Sequence, residues 1–189
     1  MPKLRIGCPL VGDFSDRTWC NMTVFDARHL SYSVLVGGIL AVLAAIVWRN
    51  LDSTSLPLGN PSGIEIFSIS AILIISHEAL HFIFFPGAGL NANSVIGIWI
   101  KIASPYVQYL SPMSRNRFMF VLVMPFFIIS IFPLFLLSSG IEQNFYMSWI
   151  AVLNCLGAGS DIFIFCMMFA KVPSDAVVLE SDGKLFWAH

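Results

Sequence analysis

Five consecutive residues, His77-Glu78-Ala79-Leu80-His81, have the types and the spacing for metal-assisted hydrolysis. In this H-E-x-x-H pattern the two imidazoles lie one helical turn apart on the same face, so both can bind one metal ion. Glu78 directly follows His77 and can therefore reach a water molecule on that metal. The alternative interpretation is a hydrogen-bonded polar cluster that fastens neighbouring helices together.

Asp161 is the candidate for a further metal ligand. A catalytic zinc ion normally has three protein ligands and leaves a fourth position for water, so two histidines need a partner. His77 lies nine residues before Pro86, and Asp161 lies nine before Ala170, where their predicted helices reach the inner surface. Both are therefore about 13 Å from that surface and can meet at one depth. In the alternative interpretation, the Asp161 carboxylate caps a helix that breaks at the preceding glycines.

Asn154 lies seven residues before Asp161, which is two turns along the same helix face. It could donate a hydrogen bond to the substrate or to an oxyanion near the metal. It could equally be an amide that bridges neighbouring helices. The sequence leaves both roles open.

The composition indicates that lipid is the solvent of the elements that carry these residues. Apolar residues make up 57% of the 189-residue chain and charged residues 11%, whereas a soluble domain carries roughly a quarter charged residues. The net charge of −1 gives no support to a nucleic-acid partner. We therefore expect an all-α integral membrane protein with about four transmembrane helices. The predicted spans are residues 30–48, 66–86, 118–137 and 145–170.

Two hairpins are predicted outside these spans. Isoleucines alternate with other residues from Val95 onwards, and a turn then separates them from a second short run that ends at Leu110, which indicates a membrane-associated β-hairpin between helices two and three. The dipeptide Asp182-Gly183 predicts the turn of a second hairpin in the tail. We divide the chain into an N-terminal segment (1–29), a transmembrane domain that carries the candidate metal site (30–171) and a C-terminal tail (172–189).

The basic residues predict the orientation. Of the ten Lys and Arg residues, nine fall on one side of the predicted spans and only Arg49 falls on the other. The positive-inside rule then places both termini in the cytoplasm, and we expect the chain to be an integral protein of a cytoplasmic membrane.

At four places the sequence resembles the small integral-membrane zincin peptidases, which are related in layout to the site-2 proteases. These places are HEALH with the following Phe84-Phe85-Pro86, the stretch Tyr106-Val107-Gln108-Tyr109, the segment Met124-Pro125-Phe126, and Asn154 with Gly159-Ser160-Asp161. The resemblance implies that His77, His81 and Asp161 bind Zn2+ and that Glu78 is the general acid and base. The chain departs from the larger site-2 proteases because Ser160-Asp161-Ile162 replaces their Leu-Asp-Gly, and because no segment is long enough for a PDZ domain.

The expected function is therefore that of an intramembrane zinc metalloprotease. Its partners would be a membrane-protein or peptide substrate and the lipid bilayer, and an extended substrate could add to the edge of the first hairpin. One alternative is a catalytically silent membrane scaffold that holds zinc. A second is a metal or proton transporter, although apart from Glu65 the outer halves of the spans lack the ionisable residues that a path would need.

Overall fold

The computed structural model describes most of the chain, namely residues 1–6, 14, 18–22, 27–51, 62–100, 104–140, 145–181 and 184–189. The described part of the chain is mostly helical, with two small β-sheets. By length and composition, three of its helices could cross a membrane, and a bent helix pair adds a fourth candidate span if it is counted as one. These candidate spans are numbered in chain order.

The first two spans are single helices. Helix α1 covers Ala27–Leu51 and α2 covers Gly63–Phe84. Helix α2 begins with a capping box, in which the Ser62 hydroxyl accepts from the Glu65 N–H and the Glu65 carboxylate accepts from the Ser62 N–H. Its last turn is followed by Pro86, which begins a short 3-10 turn. Because proline disfavours helical backbone in the residue before it, α2 ends here.

The third and fourth spans are both interrupted. In the third, α3 (Arg115–Phe126) passes through a π-helical segment (Phe127–Ile131) into α4 (Phe132–Ser138). In the fourth, α5 (Phe145–Gly157) and α6 (Gly159–Lys171) meet at a bend of 49°. These interruptions coincide with prolines in the third span and glycines in the fourth, residues that weaken an α-helix.

Among the described residues, seven short strands form the two sheets. They are β1 (Lys3–Ile6), β2 (Cys20–Met22), β3 (Ser94–Trp99), β4 (Ser104–Tyr109), β5 (Met113–Ser114), β6 (Val177–Ser181) and β7 (Lys184–Ala188). The orders are β1-β3-β4 and β2-β7-β6-β5. Both predicted hairpins are present, as β3–β4 and β6–β7, although the dipeptide Asp182-Gly183 lies outside the described residues. Strands β1 and β2, which the sequence did not predict, join a hairpin each.

The central strand of the first sheet is β3. It pairs with β1 in parallel and with β4 antiparallel, whereas β4 is an edge strand among the described residues. The outer edge of the hairpin therefore belongs to β4, and no other described strand pairs with it.

Helix α1 contacts the fourth span where the span bends. A side chain at Gly159 would clash with the α1 backbone at Ser33 and Gly37, and one at Gly37 would clash with the Leu156 carbonyl. Backbone therefore lies directly against backbone at this point, as small residues allow between helices.

Candidate functional site

Three predicted ligand residues from two spans come together beside α3. His77 and His81 lie one turn apart on α2, and Asp161 lies in the first turn of α6. The His77 Nε2 atom is 3.1 Å from His81 Nε2 and 2.9 Å from Asp161 Oδ2, and His81 Nε2 is 3.5 Å from the same oxygen. The side chains of all three are at most 14% exposed.

The other ring nitrogens face hydrogen-bond acceptors. The Nδ1–H of His77 donates to Asn154 Oδ1 over 2.9 Å, and that of His81 donates to the Val121 carbonyl oxygen over 3.0 Å. Because each Nδ1 must carry the proton, each neutral imidazole directs the lone pair of Nε2 into the site.

Two Nε2 lone pairs and a carboxylate oxygen therefore point at one another. Such a donor set repels itself unless a cation lies between the three atoms. Ligand atoms that bind a tetrahedral zinc ion at its usual distances are roughly 3.3 to 3.6 Å apart. Of the three separations, 3.5 Å lies in this range, and the other two, 2.9 and 3.1 Å, need to widen by only a few tenths of an ångström. The donor set fits zinc.

Glu78 lies next to this triad. One oxygen of its carboxylate and one nitrogen of each histidine lie within 4.8 Å of one another. Its Oε2 accepts a hydrogen bond of 3.2 Å from the backbone N–H of Val107 on β4. The carboxylate is thus held between the two imidazoles and the edge strand, where it can act on a water molecule at the metal.

A cleft of about 300 Å³ opens beside the cluster. It lies between α2, the bent fourth span and the beginning of β4. Its walls include the apolar side chains of Leu73, Ile74 and Leu153 as well as the cluster itself. A peptide segment in this cleft would contact the site residues directly.

Asn154 makes the helix-bridging contacts of the second role considered above. Its side chain is buried, and the residue is 1% exposed. Its Nδ2 donates to the Pro125 carbonyl oxygen over 3.3 Å and to Ser130 Oγ over 2.9 Å, while its Oδ1 accepts from His77. Both amide hydrogens are thus used within the protein, and the amide bridges three helical segments at the wall of the cleft.

Two arginines at the beginning of α3 donate hydrogen bonds to the ends of the two helices that carry the candidate ligands. Arg117 donates from Nε to the Phe84 carbonyl over 3.0 Å and from Nη2 to the Phe85 carbonyl over 3.3 Å, at the end of α2. Arg115 donates to the Phe169 carbonyl over 3.1 Å, near the end of α6. Cations are favourable at helix C-termini, so this pair joins the two ligand-bearing helices. From the sequence alone, both arginines contribute only to the predicted orientation of the chain in the membrane.

Glu180, on β6, is another residue near the site that the sequence did not predict. It is half-buried, and its carbonyl oxygen accepts from Gln108 Nε2 over 3.2 Å. Burial raises the pKa of the Glu180 carboxyl to about 7, and the negative charge of Glu78 adds to this effect. The tail hairpin therefore brings a further carboxyl group close to the cluster. A single glutamate in a short strand carries no sequence signal for such a position.

A family model described as Putative zincin peptidase matches residues 70–177, a range that includes His77, Glu78, His81, Asn154 and Asp161. Zincins are zinc peptidases, so zinc is the cofactor that the match implies, in agreement with the donor set. No curated protein and no solved structure matches the chain. The matched range is more than half of the 189 residues, and the chain therefore belongs to the Putative zincin peptidase family.

Proposed function

We propose that this protein is an intramembrane zinc metalloprotease, similar in layout to the site-2 proteases, that hydrolyses peptide bonds in or next to transmembrane segments of its substrates. The observation that carries the proposal is the convergence of His77, His81 and Asp161 with Glu78 beside them. The histidines and Glu78 lie on α2, which is long and apolar enough to cross a bilayer, and Asp161 lies on the bent pair α5–α6, which is long enough if it is counted as one span.

The residues divide the chemistry between them. His77, His81 and Asp161 would hold the zinc ion, which when bound supplies a Lewis acid and lowers the pKa of its water toward 7. Glu78 accepts the proton of the attacking water and delivers it to the leaving amine. Asn154 and the Val121 carbonyl fix the orientation of the two rings, and such outer partners are worth about 10- to 100-fold in metal affinity or activity.

Strand β4 is the proposed site of substrate addition. In an antiparallel pair, successive residues direct their backbone groups to alternate edges. The Val107 N–H points to Glu78, away from β3, and so by alternation does the N–H of Tyr109. An extended substrate strand on this edge would run past Glu78. The outer N–H position two residues before Val107 is occupied by Pro105, which is tolerated on an edge strand.

The orientation follows from the ends of the helices near the site. Arg115 and Arg117 lie where α2 and α6 end, and both sheets contain segments that flank these same ends. An open strand edge requires water, because unsatisfied backbone groups are too costly in hydrocarbon. We therefore propose that this end of the molecule faces water and, because Arg115 and Arg117 lie there, that it faces the cytoplasm with both termini, as the positive-inside rule predicts.

The deciding experiment compares two glutamates of the same helix. Purified wild type, Glu78→Gln and Glu65→Gln are analysed for zinc content and for cleavage of a panel of single-span substrates in liposomes. Glu78→Gln should keep one equivalent of zinc and lose cleavage by about 100- to 10,000-fold, the usual worth of a general acid and base. Glu65→Gln, at the far end of α2, should retain both zinc and cleavage.

The rival functions give different results. Full cleavage by Glu78→Gln would refute the proposed mechanism. A wild type that holds zinc but cleaves no substrate of the panel would favour the zinc-holding scaffold. Zinc that accumulates inside sealed liposomes would favour a transporter.

A further inference from the structure

A proline lies in the part of α3 that is linked to both histidines, to His81 directly and to His77 through Asn154. Pro125 is in the last turn of α3, is buried, and precedes the π-helical segment. In an α-helix the N–H of residue 125 would donate to the carbonyl oxygen of residue 121. Proline has no N–H, so the Val121 carbonyl oxygen lacks the donor that any other residue at this position would supply.

The Val121 oxygen is the acceptor that holds His81. The Nδ1–H of His81 donates to it over 3.0 Å, and both residues are buried, at 3% and 8% exposure. A buried carbonyl without a partner is unfavourable, as is a buried imidazole N–H. The missing N–H of Pro125 and the ring of His81 thus complement each other.

The carbonyl oxygen of Pro125 is linked to the other histidine, His77, through Asn154. It accepts from Asn154 Nδ2 over 3.3 Å, and Asn154 Oδ1 accepts from His77 Nδ1. Beyond Pro125 the backbone is π-helical, with the Phe132 N–H donating to the Phe127 oxygen, and this segment carries Ser130, the second acceptor for Asn154. The interruption of α3 at Pro125 is therefore linked by hydrogen bonds to both imidazoles.

We propose that Pro125 is a positioning residue of the metal site: by leaving the Val121 carbonyl free, it fixes His81 with Nε2 toward the zinc, and through Asn154 it does the same for His77. This inference rests on the proposed zinc site but not on the identity of the substrate. Pro133 offers a contrast within the same span. It lies in the first turn of α4, where proline is well tolerated, and it is likewise buried.

The test replaces each proline by alanine. In Pro125→Ala the new N–H competes with His81 for the Val121 oxygen, so zinc affinity, measured by competition with a chelator, should fall about 10- to 100-fold. Thermal stability in detergent should not fall, because alanine is the better helix former. Pro133→Ala should bind zinc like the wild type. A purely structural role for Pro125 predicts no loss of affinity once the variant is folded.

A second measurement addresses the hydrogen bond itself, in metal-free protein with 15N-labelled histidine. Wild-type His81 should carry a proton on Nδ1 that exchanges slowly with solvent because it is hydrogen-bonded to the Val121 oxygen, and this exchange should be faster in Pro125→Ala. A wild-type His81 without a proton on Nδ1 would overturn the proposal even if the variant failed to fold. Unchanged zinc affinity in Pro125→Ala, or an equal loss in Pro133→Ala, would also overturn it. Absence of zinc binding by the wild type would instead refute the proposed function, and the Nδ1 proton of the metal-free protein would remain informative.

Discussion

The helices α2 and α6 contribute to the site differently from α3 and β4. Helices α2 and α6 supply side chains, namely His77, Glu78, His81 and Asp161. Helix α3 and strand β4 supply backbone groups: the carbonyls of Val121 and Pro125 and the N–H of Val107. A side chain of the first group is removed by any substitution, whereas the backbone groups of the second survive most substitutions. An N–H is lost only to proline, and a carbonyl becomes unavailable only when another donor occupies it or the chain shifts. The two groups should therefore respond differently to mutation.

The largest effect is expected for the side-chain group. His77→Ala and Asp161→Ala should each reduce zinc affinity by more than the roughly 10- to 100-fold that loss of an outer partner costs. Elemental analysis of the purified variants, with the exposed His189→Ala as control, measures this. A full equivalent of zinc with unchanged affinity in either variant would show that the residue is not a ligand.

Glu180 tests whether the tail hairpin belongs to the same electrostatic unit. Its pKa is raised from 4.5 to about 7 by burial, and Glu78, His81 and Asp161 are the charged groups that act on it. Because the folded state disfavours the carboxylate, stability is fully present below pH 4.5 and is lost as the pH rises toward about 7. The loss amounts to at most about 3 kcal/mol.

The measurement is thermal unfolding of metal-free protein in detergent between pH 4 and 8. Glu180→Gln should remove most of the decline in this range, while Asp175→Asn, an exposed carboxylate of the same tail, should leave it in place. Identical pH profiles for wild type and Glu180→Gln would show that Glu180 is not part of the cluster.

Asn154 links the two groups and should give an intermediate effect. Asn154→Ala deprives His77 of its acceptor and should weaken zinc binding about 10- to 100-fold. Asn154→Asp keeps an acceptor for His77 but loses the donors to Pro125 and Ser130, so its loss should be smaller. If Asn154 were an oxyanion donor, Asn154→Ala would lower kcat and leave zinc affinity unchanged.

The smallest effect on cleavage is expected at the outer edge of β4, where we propose that the substrate adds. Tyr109→Pro and Tyr109→Ala both remove the ring that contacts Phe85, but only proline removes the outward N–H. One backbone hydrogen bond to the substrate is worth about 1 kcal/mol, so cleavage of an intact span should be roughly 5- to 10-fold slower in the proline variant. A short unstructured peptide should be affected less. Equal cleavage of the intact span by both variants would argue against strand addition.

The side-chain group was accessible to sequence analysis because its signals are local. The H-E-x-x-H spacing places His77 and His81 on one helix face, and the distance of Asp161 from the end of its predicted span places it at the same depth in the membrane. The four helical segments follow from the length of the apolar runs, and the two hairpins from alternation and turn residues. In each case the residues concerned are close in sequence or are constrained by the width of a membrane.

The backbone group was not accessible, because a carbonyl oxygen has no residue type. Pro125 was noted as part of Met124-Pro125-Phe126, yet its effect depends on which side chain faces Val121, and that is set by the packing of α2 on α3. Strands β1 and β2 are short and join partners far away in the chain, so neither alternation nor a turn predicts them. Glu180 and the two arginines likewise gain their roles from neighbours that are distant in sequence.

The contact of α1 with the bent helix pair would restrict how a substrate approaches if the protein has the proposed function. Gly37 and Gly159 bring backbone against backbone, so no layer of side chains lies between α1 and α6 at this point that could yield. Separating these helices would displace the turn immediately before Asp161 and the aspartate itself. A substrate segment would then have to enter through the cleft between α2 and α5, whose walls include the apolar side chains of Leu73, Ile74 and Leu153.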